Sequence, residues 1–169
     1  MPNYPQIIPS TPTPYPGIRL RSTEESVYGD STQRRSADIA IKHILEAIEL
    51  SKYMLTFEDD WDDDGSPAYK SATWVRATAF LHHSALQMLT DYHVILDAPK
   101  ILPGPAGSID FHWKTSRREL LINIPEILDE PANFYGDDST SSDHSPNQMV
   151  KGILDISKDN QWLLMWLMQ

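Results

Sequence analysis

The chain has 169 residues and a formal net charge of −10, enough length for one domain with a modest core. Its first 36 residues hold four basic and three acidic groups, a local balance of +1 that leaves −11 for the rest, so nonspecific attraction to nucleic acid or an anionic membrane is disfavoured. Cysteine is absent, which excludes a disulfide frame, a zinc ribbon and a thiol nucleophile.

The opening stretch "MPNYPQIIPSTPTPYP" places six prolines in sixteen residues and is followed by a polar run of Ser, Thr, Glu and Arg. Little apolar area is present to offset ordering entropy, so residues 1–35 are expected to form a disordered, Pro-rich tail, a leader or a docking arm. It has no basic stub with an apolar core and a small-residue cleavage site, and so does not read as a signal peptide. No run nears the roughly 18 apolar residues of a membrane span. A soluble, cytoplasmic protein is the expectation.

Residues 36–169 read as a single α+β domain. Ala37, Ile41, Ile44, Leu45, Ile48 and Leu55 recur at helical spacing behind Ser36 as a cap, which predicts a helix over 37–57. Ser66-Pro67 supplies the start of a second helix, whose apolar face runs through Trp74, Val75, Thr78, Leu81, Ala85, Met88, Leu89 and Tyr92. The period then changes. Ile109, Phe111 and Trp113 alternate with Asp110, His112 and Lys114, and Leu120, Ile122 and Ile124 alternate with Leu121 and Asn123, predicting a hairpin that turns through Thr115 to Arg118. Short strands are expected at Lys100 to Leu102 and Asn133 to Tyr135, giving an antiparallel sheet of three to four strands with the helices on one face. Residues 137–145 read as a polar loop. A C-terminal helix is expected through Met149, Ile153 and Ile156, and "QWLLMWLMQ" fits either its continuation or a strand.

Between the first two helices lies "DDWDDDGSPAY". Asp60, Asp62, Asp64 and Gly65 reproduce the D-x-D-x-D-G opening of a calcium loop, but the twelfth position, where an EF-hand needs a bidentate glutamate, is Ser71, and the ninth is Ala68. The acidic set Asp59, Asp60, Asp62, Asp63 and Asp64 is therefore expected to decorate a helix connection near a helix N-terminus, with Trp61 anchoring the turn and no metal bound.

The segments "WDDDGSP", "ILPGPAGSIDFHW" and "ELLINIP" together resemble a family of small uncharacterised bacterial proteins. That family carries a Trp-Asp-x-x-Gly turn and a later Pro-x-x-Gly-x-Ile-x-x-x-Trp β-hairpin. The resemblance spans about residues 55–125. It implies a compact α+β module, encoded beside mobile-element, toxin-antitoxin or defence genes, and brings no catalytic residue set with it.

Other chemistry is thinly supported. Arg76 with His82 or His83 fits the loose Arg-to-His spacing of HEPN ribonucleases, although a hairpin after it is foreign to that all-helical bundle. Asp110, His112, His93 and His144 are carboxylate and imidazole groups of the kind that share a divalent ion, with nothing to fix their geometry. Phosphate-loop, nucleophile-elbow and His-Glu-x-x-His patterns are missing. The chain therefore reads as a non-enzyme without catalytic residues or cofactor.

Trp162, Leu163, Leu164, Met165, Trp166, Leu167 and Met168 form the strongest interaction signal, because Trp and Met are enriched where proteins meet. The alternative is that they pack as the last core element. A protein partner is expected, without direct nucleic-acid or membrane contact, and a terminal apolar segment left exposed also favours homo-oligomers. Two functions follow: an interaction subunit or regulator of a bacterial complex, or an acidic nucleic-acid mimic whose Asp59–Asp64 and Asp137–Asp143 imitate phosphates.

Overall fold

The computed structural model describes residues 23–138 and 149–169, the first twelve of these as helix backbone alone. Helix α1 (Thr23–Leu50) runs into a 3-10 turn (Ser51–Thr56), and helix α2 (Ser71–Tyr92) follows the aspartate segment. Strands β1 (Lys100–Pro103), β2 (Ile109–Lys114), β3 (Arg118–Ile124), β4 (Ala132–Asp138) and β5 (Val150–Leu154) come next, and helix α3 (Gln161–Leu167) ends the chain. The strands form one antiparallel sheet in sequence order, β1-β2-β3-β4-β5. The α+β class is thus as expected. No helix among the described residues is long and apolar enough to cross a membrane.

Alternation decides the sheet's two faces. Ile109, Phe111 and Trp113 of β2, Leu120, Ile122 and Ile124 of β3 and Ala132 and Phe134 of β4 are buried, while Asp110, His112, Leu121, Asn123, Asn133 and Tyr135 look the other way. Register puts Phe111 opposite Ile122 and Ile122 opposite Phe134, so the apolar side chains stack across strands into one layer. The hairpin turns where expected. Thr115 accepts the Arg118 amide on its hydroxyl at 2.8 Å, and its own amide donates to the Arg118 carbonyl at 2.8 Å.

Helix α2 lays Thr73, Ala77, Phe80, Leu81, Ser84, Ala85 and Met88 on this layer. Those positions repeat at three and four residues, the spacing of one helix face. It ends where His93 takes a left-handed conformation (φ 56°) and the Val94 amide returns to the Met88 carbonyl at 2.9 Å. Helix α1 adds Ile44 to the core, and the indole of Trp74 donates to the Ser51 hydroxyl at 2.9 Å, which itself donates to the Ile48 carbonyl.

Five expectations are corrected. Helix α1 extends back to Thr23, so the boundary set at residues 35 and 36 falls inside a helix; Ser22-Thr23-Glu24-Glu25 has the S-x-x-E helix-start pattern, whereas Ser36 is an exposed mid-helix position. Of the tail expected over 1–35, residues 1–22 lie outside the described residues, as do 139–145 of the polar loop expected over 137–145, whose first two residues, Asp137 and Asp138, belong instead to strand β4. Helix α2 starts at Ser71, and Pro67 sits in the irregular chain before it. The helix through Met149, Ile153 and Ile156 is instead strand β5 followed by a turn, which brings the sheet to five strands. Gly152 fits a strand there because it lies against Phe134: a Cβ built on it would come to 3.0 Å from that ring. Val75 and Leu45, placed on apolar helix faces, are both exposed.

A groove between the second helix, the β3–β4 loop and the end of β5

Arg76 lies on the flank of α2 that faces the β3–β4 loop. Its guanidinium donates through Nη1 to the carbonyls of Ile127 (3.3 Å) and Leu128 (2.8 Å) and through Nη2 to the carbonyl of Pro125. A planar fork with five donors suits such a set of convergent oxygens. Six residues earlier in the chain, Lys70 pairs with Glu126 at 2.5 Å. The Glu130 amide closes a turn on the Ile127 carbonyl. These bonds hold the loop backbone in place, yet the side chains of Ile127 and Leu128 are 57% and 75% exposed.

Beside this loop opens a groove of about 630 Å³, within the roughly 300–1,000 Å³ of ligand sites. Phe80, Leu128, Pro131, Ala132, Leu154 and Ile156 supply its apolar wall. Arg76, His83, Asp129, Glu130 and Asp155 supply polar groups. Phe80 is held from beneath by Phe111, with ring centroids 6.4 Å apart. At the far end Asp155 accepts the Ser157 hydroxyl (2.6 Å) and amide (3.0 Å) and pairs with Lys158 at 3.0 Å. Those contacts, the Ser157 hydroxyl first, draw its carboxyl down from 3.8 to about 2. Gln161 donates to Gln87 at 2.8 Å and Gln87 to Asp159 at 3.1 Å, fastening the start of α3 to α2.

The residues singled out in the sequence divide sharply. Arg76 and His83 do share the groove, but Arg76 is spent on backbone carbonyls. The aspartate segment folds on itself: Asp59 accepts the Ala68 amide (2.8 Å), Asp60 the Gly65 amide (2.7 Å), and Asp62 the Ser66 amide (3.1 Å) and hydroxyl (2.5 Å). The Ser66 hydroxyl is the leading reason why the Asp62 carboxyl titrates below its ordinary value. Asp60 and Asp63 take positive φ, as Asp tolerates in tight turns, and Gly65 sits at φ 82°. Trp61, expected to anchor the turn, stacks on the half-buried Phe57 at 4.5 Å but stays exposed itself. Among the described residues no group of three His, Asp or Glu is placed to hold a metal ion. Asp110 and His112 share the open face of the sheet but turn to different partners. Asp110 accepts from Asn123 at 2.6 Å and its carboxyl is pushed up by burial, while His112 meets Glu119 at 2.6 Å.

The C-terminal segment requires a correction. Leu163, Leu164 and Leu167 are buried, facing the sheet, and cannot meet a partner. Trp166 lies close against Gly136, where a Cβ would come within 2.7 Å of the indole, and the Arg118 guanidinium sits over the indole ring at 4.9 Å while bonding Asp138 at 2.9 Å. Trp162 is 56% exposed and makes an edge contact with Phe134 at 5.5 Å. Of the seven residues, Trp162 and Met168 alone remain in the exposed class. The helical period of α3 explains the split, since 163, 164 and 167 fall on one face.

Ile127 and Leu128 were not among the residues picked from sequence. The available signal was two adjacent aliphatics in the polar segment "PEILDEP", bounded by Pro125 and Pro131. No family model, no curated protein and no solved structure matches this chain.

Proposed function

We propose that the chain is a non-enzymatic interaction module that captures a partner protein in the groove between α2, the β3–β4 loop and the end of β5. The observation that carries this reading is the exposure of Leu128 on a backbone that Arg76 holds at three carbonyls. Keeping an aliphatic side chain in water has no folding benefit. Fixing its backbone beforehand removes part of the ordering cost of binding, which is how preorganised anchors gain affinity. The apolar wall beside it offers a desolvated seat, and the polar groups around it form the rim of an ordinary protein interface.

The test uses a control of equal exposure. Leu50, at the end of α1, is 76% exposed and lies outside the groove lining. Affinity capture of natural partners from the native host should be lost with Leu128→Asp and kept with Leu50→Asp. Equal capture by both variants overturns the reading.

A further inference from the structure

The groove ends at the C-terminus of β5, and β5 is the last strand of the sheet. Among the described residues no strand pairs with its outer edge. The opposite edge, β1, is four residues long, follows Pro99 and ends in Pro103, which is how natural sheets blunt an edge against added strands. Strand β5 lacks proline, and Lys151, Gly152 and Ile153 are all exposed, Ile153 at 71%. Alternate residues of an edge strand direct N–H and C=O groups away from the sheet, a template that an extended peptide completes.

Charge narrows the kind of peptide. Asp129 and Glu130 line the groove, while Asp155 beside them is already paired with Lys158. Arg76, the groove's guanidinium, already serves three carbonyls. A cationic side chain therefore has carboxylates to meet.

Resting on the groove reading, we propose that the partner presents an extended segment that adds to β5 as a sixth strand. Running past Leu154, the segment seats one apolar side chain between Phe80, Leu128 and Ile156, with a neighbouring Lys or Arg against Asp129 and Glu130. The segment alternates apolar and polar residues, because one of its faces continues the covered side of the sheet. Affinity comes from backbone pairing and the anchor, and the choice of partner from the cation.

The experiment selects binders from a displayed library of random dodecapeptides on the full chain, then measures their affinity and the amide exchange of the chain with peptide bound. The expected binders alternate apolar residues and carry Lys or Arg, and they slow exchange across residues 150–154. Charge reversal by Asp129→Lys with Glu130→Lys should weaken them about tenfold or more, a loss of about 1.4 kcal/mol. Leu128→Asp should abolish binding. A proline at Gly152 or at Ile153, whichever variant keeps the wild-type melting transition, provides a second check, since one of these adjacent amides points outward. Binders that are acidic, or that leave exchange over 150–154 unchanged, overturn the sixth-strand inference, as does a selection with no binders. The groove reading then stands or falls separately on whether Leu128→Asp releases the natural partner.

Discussion

Arg76 and Leu128 are joined by a 2.8 Å hydrogen bond from guanidinium to main-chain carbonyl, while the Leu128 side chain points into solvent. One bond fixes the backbone of the very residue that the groove displays. Arg76→Ala should cost about 2 kcal/mol of stability, because several charge-assisted bonds to carbonyls are lost together. Arg76→Lys should recover only part of this, since an ammonium lacks the fork. Urea denaturation of the three proteins measures both values.

The Trp166 ring is predicted to add to the hold that the buried leucines give helix α3. Trp166→Ala removes the contact with Gly136 and with Arg118, for an expected loss of about 2 kcal/mol. Gly136→Ala attacks the same contact from the sheet, by placing a methyl group 2.7 Å from the indole. It should cost about 1–3 kcal/mol. Because the two changes share one contact, the double variant should be less destabilised than the sum of the singles.

Stability against pH should show two opposed contributions. Asp155 and Asp62 titrate below their ordinary value of 3.8 in the fold, Asp155 at about 2. Their contributions are therefore complete above about pH 4 and are lost as the pH falls through each folded value, which for Asp155 is about 2. Burial raises the Asp110 carboxyl, so its contribution is present in acid and declines as the pH rises through its folded value. Asp155→Asn should flatten the acid limb of a melting-temperature profile. Asp110→Asn keeps an oxygen for Asn123 to bond, and should leave stability near neutral pH equal or higher.

Calcium should leave the melting temperature unchanged. In the D-x-D-x-D-G segment the oxygens of Asp60 and Asp62 are turned to Gly65 and Ser66, and among the described residues no three carboxylates are placed together to hold an ion. A calcium-dependent rise in the melting temperature would contradict this.

The parts of the fold that were legible in the sequence are those where period and burial coincide. In β2 and β3, alternate positions are buried over six or seven residues, and the hairpin could be placed to the residue at its turn. In β5 only Leu154 is buried, so no alternation exists to read, and Ile153 with Ile156 imitates a helical spacing. The start of α1 lies beyond the apolar period that marked it, because the sequence from Thr23 to Arg34 is polar and has no such period to read. In α3 the run of Trp, Leu and Met hid its own division: a seven-residue helix that is apolar all round has no pattern until a sheet selects one side. The groove was illegible for a different reason. Its walls come from three separated segments, and Arg76, which the His spacing had singled out, builds it through backbone carbonyls that no motif records.

The most direct test of the central claim is to place a photo-crosslinking amino acid at Leu128 and, in a second protein, at Leu50, and to irradiate each in the native host. A discrete adduct with a partner protein at Leu128, with none at Leu50, is the predicted result. Adducts of equal yield at both positions, or none at Leu128, would contradict it.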